Sequence, residues 1–154
     1  MVAQHAVTTT RSSSGLVGRV VLTLAGAAAM VLGAFLNWWH GTAGTSLTNH
    51  AFYQETFGTT GNFVATAGFV SIVLGLVALV GLASGSGWLT RLAGALGIVA
   101  VVLYGIQVYR ADTSLTAMSV GAWVALAGGV VALIGGFMGR PTAVVAAPVE
   151  RLDD

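Results

Sequence analysis

Apolar residues fall into four long runs, at residues 16–37, 62–83, 88–109 and 116–138, divided by one long polar connection and two short ones. None of the runs has a polar stripe at helical or strand period, so each predicts a helix that is apolar all round. At about 1.5 Å per residue each reaches the roughly 30 Å needed to cross a hydrocarbon core. The pattern predicts an all-α integral membrane four-helix bundle. The first run, LVGRVVLTLAGAAAMVLGAFLN, contains a single charge, Arg19, near its start and long enough to snorkel to headgroups. Arg91 lies in the first turn of the third run, with Trp88 and Tyr109 at opposite ends as interfacial aromatics. A cleaved signal peptide, with Ala27-Ala28-Ala29 as its processing site, is the competing reading of the first run. Cleavage there would leave MVLGAFLNWW as a further apolar stretch. The flanks, residues 1–15 and 139–154, are polar or contain Pro141 and Pro148, and are expected to be disordered cytoplasmic tails.

The long connection occupies residues 38–61, and with Asn37 reads NWWHGTAGTSLTNHAFYQETFGTTG. Trp38 and Trp39 follow the first helix directly, where interfacial anchors belong. Residues 48–57, TNHAFYQETF, are expected to form a short helix that turns Phe52, Tyr53 and Phe57 towards the membrane or bundle as a lid. The Gly and Thr residues around it predict flexible chain. Polar side chains in the spans gather towards this same end: Asn37, Asn62, Tyr104, Gln107 and Ser119. Interhelical hydrogen bonding explains them most simply, at about 0.6 kcal/mol each; the functional reading is a small outward-facing pocket roofed by the loop.

Two internal matches suggest a repeat. Arg19, Leu24, Ala28 and Gly33 recur 72 positions later as Arg91, Leu96, Ala100 and Gly105, and GLVALVG at Gly75 recurs 54 positions later as GVVALIG at Gly129. Their order is preserved, which predicts two helical hairpins in parallel repeat, with the first outer loop enlarged. Small residues spaced four apart, such as Gly121, Ala125 and Gly129 or Gly128, Ala132 and Gly136, predict close helix contacts, either inside the bundle or with another chain.

Composition sharpens this picture. Of 154 residues 56% are hydrophobic and 7% charged, with a mean hydropathy of +0.88, far from the soluble norm of about 25% charged. All six basic residues are arginine, and the net charge of +1 offers nucleic-acid phosphates nothing to neutralise. Arg11, Arg19, Arg91, Arg140 and Arg151 fall on one side of a four-span topology and Arg110 on the other, so both termini are expected in the cytoplasm. With no cysteine there is no disulfide or thiol redox chemistry. Mid-span ionisable residues, which proton-coupled transporters and pumps use, are missing. No histidine is placed deep enough for haem ligation. His40, His50 and Glu55 are too irregularly spaced for a metal site. No catalytic motif is present, and no enzyme activity, cofactor or metal is expected.

FLNWW at Phe35 to Trp39, the polar first loop, WLTRLAGALGIVAVVLYGIQVYR from Trp88 and GAWVALAGGVVALIGGF from Gly121 together resemble the small four-span integral membrane proteins of actinobacteria, a group of unknown function. That resemblance implies a plasma-membrane bundle and no defined activity. The leading expectation is a non-catalytic accessory or assembly subunit of a cell-envelope membrane complex, in contact with lipid bilayer and other membrane subunits. The alternative is a carrier or binding protein for a small neutral or lipid-like molecule in the outer half. The candidate contacts are Asn37, Trp38, Trp39, Phe52, Tyr53, Phe57, Asn62, Tyr104 and Gln107. A pore former of the holin type is a distant third reading, because the C-terminal tail lacks strong basic character.

Overall fold

The computed structural model describes residues 13–112 and 114–138. Four helices account for most of them: α1 (Ser13–Phe35), α2 (Ala67–Ala83), α3 (Gly87–Asp112) and α4 (Val120–Phe137). α1 packs against α2 and α4, α3 packs against the same two helices, and α1 and α3 face each other across the diagonal. Three of the four, α1, α3 and α4, are long and apolar enough to cross a membrane. α2 has 17 residues, about 26 Å at 1.5 Å per residue, and is preceded by a separate 3-10 turn at Phe63–Ala65.

Several boundaries differ from those the apolar runs predict. Residues 13–15, assigned to a tail, belong to α1, and α1 ends at Phe35 rather than 37. α2 begins at Ala67 rather than 62 because Thr66 caps it, accepting from Phe69 N at 3.1 Å. α4 begins at Val120 rather than 116, after a 3-10 turn at Leu115–Ala117. Residues 1–12 and 139–154, expected as disordered, lie outside the described residues.

Helix contacts are made backbone to backbone. A Cβ at Gly26 would stand 2.5 Å from Ala132 N, and one at Gly128 2.7 Å from both Gly26 O and Met30 N. Gly33 and Gly121 are as tightly enclosed, the first by Ala125 N and the second by the Leu36 and Asn37 carbonyls. On the other face of α4, Gly129 meets Gly94 O and Gly136 meets Arg91. The small-residue faces of the fourth helix are therefore consumed inside the bundle, by α1 on one side and α3 on the other.

The two hairpins pack through corresponding positions. Gly81 of α2 meets Leu89 and Thr90, and Gly135 of α4 meets Leu22 and Thr23. Gly75 meets Ala27 O and Val31, while Gly129 meets Gly94 O and Ile98. These pairs relate α2 to α4 by 54 positions, as the sequence match does. They relate α1 to α3 by 67 positions, from Thr23 to Thr90.

Arg19 is buried against the bundle. It lies on the same stripe of α1 as Thr23, Ala27 and Met30, and only 7% of it is exposed. Its Nε and Nη2 have no hydrogen-bond partner among the described residues. The direction of the stripe, rather than the reach of the side chain, decides its place. Arg91 donates from Nε to Gly136 O at 2.8 Å and sits 4.3 Å from the Phe137 ring, a cation at the C-terminal end of α4 where the helix dipole favours it.

Candidate functional site

The connection between α1 and α2 is folded into a cap. Its first piece is a hairpin of β1 (Asn37–Trp39) and β2 (Thr42–Ala43). His40 and Gly41 both take positive φ, 39° and 83°, the pair of left-handed residues that a two-residue hairpin turn requires. Asn37 pairs with Ala43 and Trp39 with Thr42, so Trp38 is the extra residue of a bulge. That bulge turns its ring inward. Further on, the chain is tied back by Gly44 N to Leu36 O (3.1 Å), Thr45 N to Ala34 O (3.0 Å), Thr48 N to Gly58 O (2.9 Å) and Ala67 N to Leu47 O (2.8 Å). The glycine and threonine stretch expected to be flexible is thus held by backbone hydrogen bonds. Residues 48–57 do not form a lid helix; they hold a single 3-10 turn at Asn49–Phe52, capped by Thr48.

Trp38 is the centre of the cap. Its side chain is 1% exposed, and its indole N–H donates to Gly33 O at 2.8 Å. Its carbonyl accepts from Tyr104 Oη at 2.8 Å and from Ser119 N at 2.9 Å. Tyr104 packs edge-on against the indole at 5.2 Å, and Phe52 at 6.3 Å. Trp39, half-buried, stacks on Phe57 at 4.1 Å, and Phe57 in turn meets Tyr104 at 6.1 Å. Trp38 is therefore a core residue and not an interfacial anchor.

Of the nine candidate contacts, the structure brings together Trp38, Trp39, Phe52, Phe57 and Tyr104. Asn37 and Asn62 are exposed; the Asn62 side chain caps the 3-10 turn after it, accepting from Val64 N at 3.2 Å. Gln107 is buried in α3, and Tyr53 is 59% exposed beside His50. The Trp38 ring fills the interior at this end of the bundle. The void left between Met30, Trp38, Phe52 and Ser71 measures about 10 Å³, room for about one water at most.

A larger space lies on the outside of the bundle at the cap end. α3 and α4 touch closely at Gly94 and Gly129, and towards the cap a space opens beside them. The opening is a groove of about 570 Å³ whose walls include Val101, Gly105, Ile106, Trp123 and Leu126, with Leu115 and Met118 closing it from the turn after α3. Arg110 and Tyr109 stand at its cap-side end. Periodicity did not reveal this groove: helices apolar on every face carry no stripe to mark it. Gly105 and Arg110 were the legible traces, one a missing side chain and the other the lone arginine of that end. On the cap's own side of α3, Asp112 meets His40 at 3.6 Å, both side chains being about half exposed.

Among the described residues, no group of three His, Cys, Asp or Glu side chains is arranged to hold a metal ion. No protein-family model, curated protein or solved structure matches this chain.

Proposed function

We propose that this chain is a non-catalytic integral membrane protein of the cell envelope that works as an accessory or assembly subunit. In this reading it crosses the plasma membrane four times, with both termini cytoplasmic and the cap outside. The 3-10 turn at Phe63–Ala65 extends the short α2 to span length. The corresponding contacts of Gly81 and Gly135, and of Gly75 and Gly129, support a parallel repeat of two hairpins, with α1 and α3 in register at 67 positions.

The observation that carries the accessory reading is the cap. A segment of about 30 residues is fixed to all four helices, yet it leaves Leu36, Tyr53, Phe63 and Val64 exposed at its surface. Exposed apolar groups on an ordered scaffold mark an interaction surface. The filled interior favours a surface role over an internal carrier.

The test is extraction of the tagged full-length chain from its native membrane into polymer discs, followed by protein mass spectrometry. A membrane protein partner in stoichiometric amount is expected, and the Tyr53→Ser/Val64→Ser variant should release it while still inserting. A wild-type chain that emerges alone would overturn the proposal.

A further inference from the structure

The groove between α3 and α4 has the dimensions and chemistry of one lipid chain in one leaflet. Along α3 it runs from Val101 to Arg110, nine residues or about 14 Å at 1.5 Å per residue. Half of a hydrocarbon core of about 30 Å is about 15 Å. Val101 lies near the middle of α3 and Arg110 close to its end, so the groove reaches from the mid-plane to headgroup level. Its walls open sideways to the surroundings: Val102, Ile106 and Trp123 are all exposed. In a bilayer a lipid-facing apolar trench fills with hydrocarbon, since a void forfeits the dispersion contacts of every atom lining it.

Comparison of the hairpins shows why the trench exists. In the first hairpin the chain itself is wedged between the helices at this level: Thr45 N bonds Ala34 O, and Gly68 N bonds Gly44 O at 2.8 Å. A Cβ at Gly68 would stand 2.6 Å from Gly44 C. The second hairpin has only a short connection, which reaches back to Trp39 through Met118 and leaves the groove open on its outer face. Gly105, with no side chain, deepens the floor; a Cβ there would already touch Met118 Sδ at 3.4 Å.

Arg110 distinguishes one class of lipid. It lies on the groove side of α3, whereas Asp112, two positions on and so about 200° round the helix, turns towards His40. A guanidinium at headgroup depth suits a phosphate that carries a net negative charge. We propose that the groove seats one acyl chain of an anionic phospholipid, with its phosphate on Arg110. This site stands apart from the accessory reading: it requires the bundle to sit in a bilayer but no protein partner.

The experiment is native mass spectrometry of the full-length chain, delipidated and then exchanged against equal amounts of dioleoyl phosphatidylglycerol and dioleoyl phosphatidylcholine. One retained lipid per chain is expected, with phosphatidylglycerol favoured at least fivefold. Arg110→Gln should bring the two lipids to near-equal retention without emptying the site. Ile106→Trp, which fills the groove from an exposed position and needs no change in the core, should remove the retained lipid altogether. Equal retention of both lipids by the wild-type chain, or retention unchanged by Ile106→Trp, would mean annular lipid only and overturn the proposal. A second copy cross-linked through cysteines placed at Val102 and Trp123 would overturn it as well.

Discussion

Trp38 serves three neighbours at once, and its consequences can be separated by substitution. Tyr104→Phe removes one donor to the Trp38 carbonyl but leaves Ser119 N in place. No buried acceptor is orphaned, so the loss should be modest, about 0.5–1.5 kcal/mol. Trp38→Ala removes the ring around which Tyr104 and Phe52 pack and takes one of the two donors from Gly33 O, leaving Leu36 N. A cost of about 3–5 kcal/mol is expected from the cavity. Thermal unfolding of the two variants in the same detergent checks the order; a Tyr104→Phe variant as unstable as Trp38→Ala would contradict this division of roles. The sequence marked Trp38 as important but placed it at the lipid surface. An aromatic after an apolar run reads as an anchor when no signal of the bulge is visible, and the bulge depends on a pairing with Thr42 and Ala43 that no periodicity contains.

Among the elements, α1 and α4 pack as they do because glycines lie opposite one another. Gly26, Gly33, Gly121 and Gly128 all have backbone atoms at 3.0 Å or less from where a Cβ would stand. The positions that correspond to them in α2 and α3, at offsets of 54 and 67, are Ala93, Ala100, Ala67 and Leu74. Side chains there take the place of the bare backbone, and α2 and α3 approach each other closely over less of their length. Gly128→Ala should therefore force α1 and α4 to separate, because the clashing atoms, Gly26 O and Met30 N, are backbone and cannot rotate away. Overpacking of this kind costs about 1–3 kcal/mol. Gly58→Ala, with nothing within 4 Å, is the control and should leave the melting temperature unchanged. A Gly128→Ala chain that melts with the control would refute the close contact. The helices themselves were legible as apolar runs, and the small-residue spacing announced close packing. Their outer ends were not legible. Thr66 and Met118 sit in stretches apolar enough to continue a helix, yet each is drawn into the cap by pairing, Thr66 with Thr48 and Met118 with Trp39. Distant partners overrode local preference there.

For the whole molecule, charge decides which side of the membrane the cap is expected to face. In the proposed four-span topology five arginines of the sequence count towards the side of the termini and the Ser84–Ser86 turn, and Arg110 towards the cap end. An excess of that kind retains its loops in the cytoplasm. The burial of Arg19 weakens one member of the count, since a guanidinium enclosed in the bundle is no longer free at the surface. Four against one still gives the same orientation. The chain has no cysteine, so single introduced thiols report without background. Ser46 and Ser84 are both exposed, the first in the cap and the second in the turn after α2. Ser46→Cys should react with a membrane-impermeant maleimide on intact cells, and Ser84→Cys only after permeabilisation. The reverse pattern would put the cap in the cytoplasm, and with it Arg110 and the mouth of the groove, so that any anionic lipid seated there would come from the inner leaflet. Reaction at both sites on intact cells would be incompatible with a single span between them, and would leave α2, the shortest helix, as the element that fails to cross.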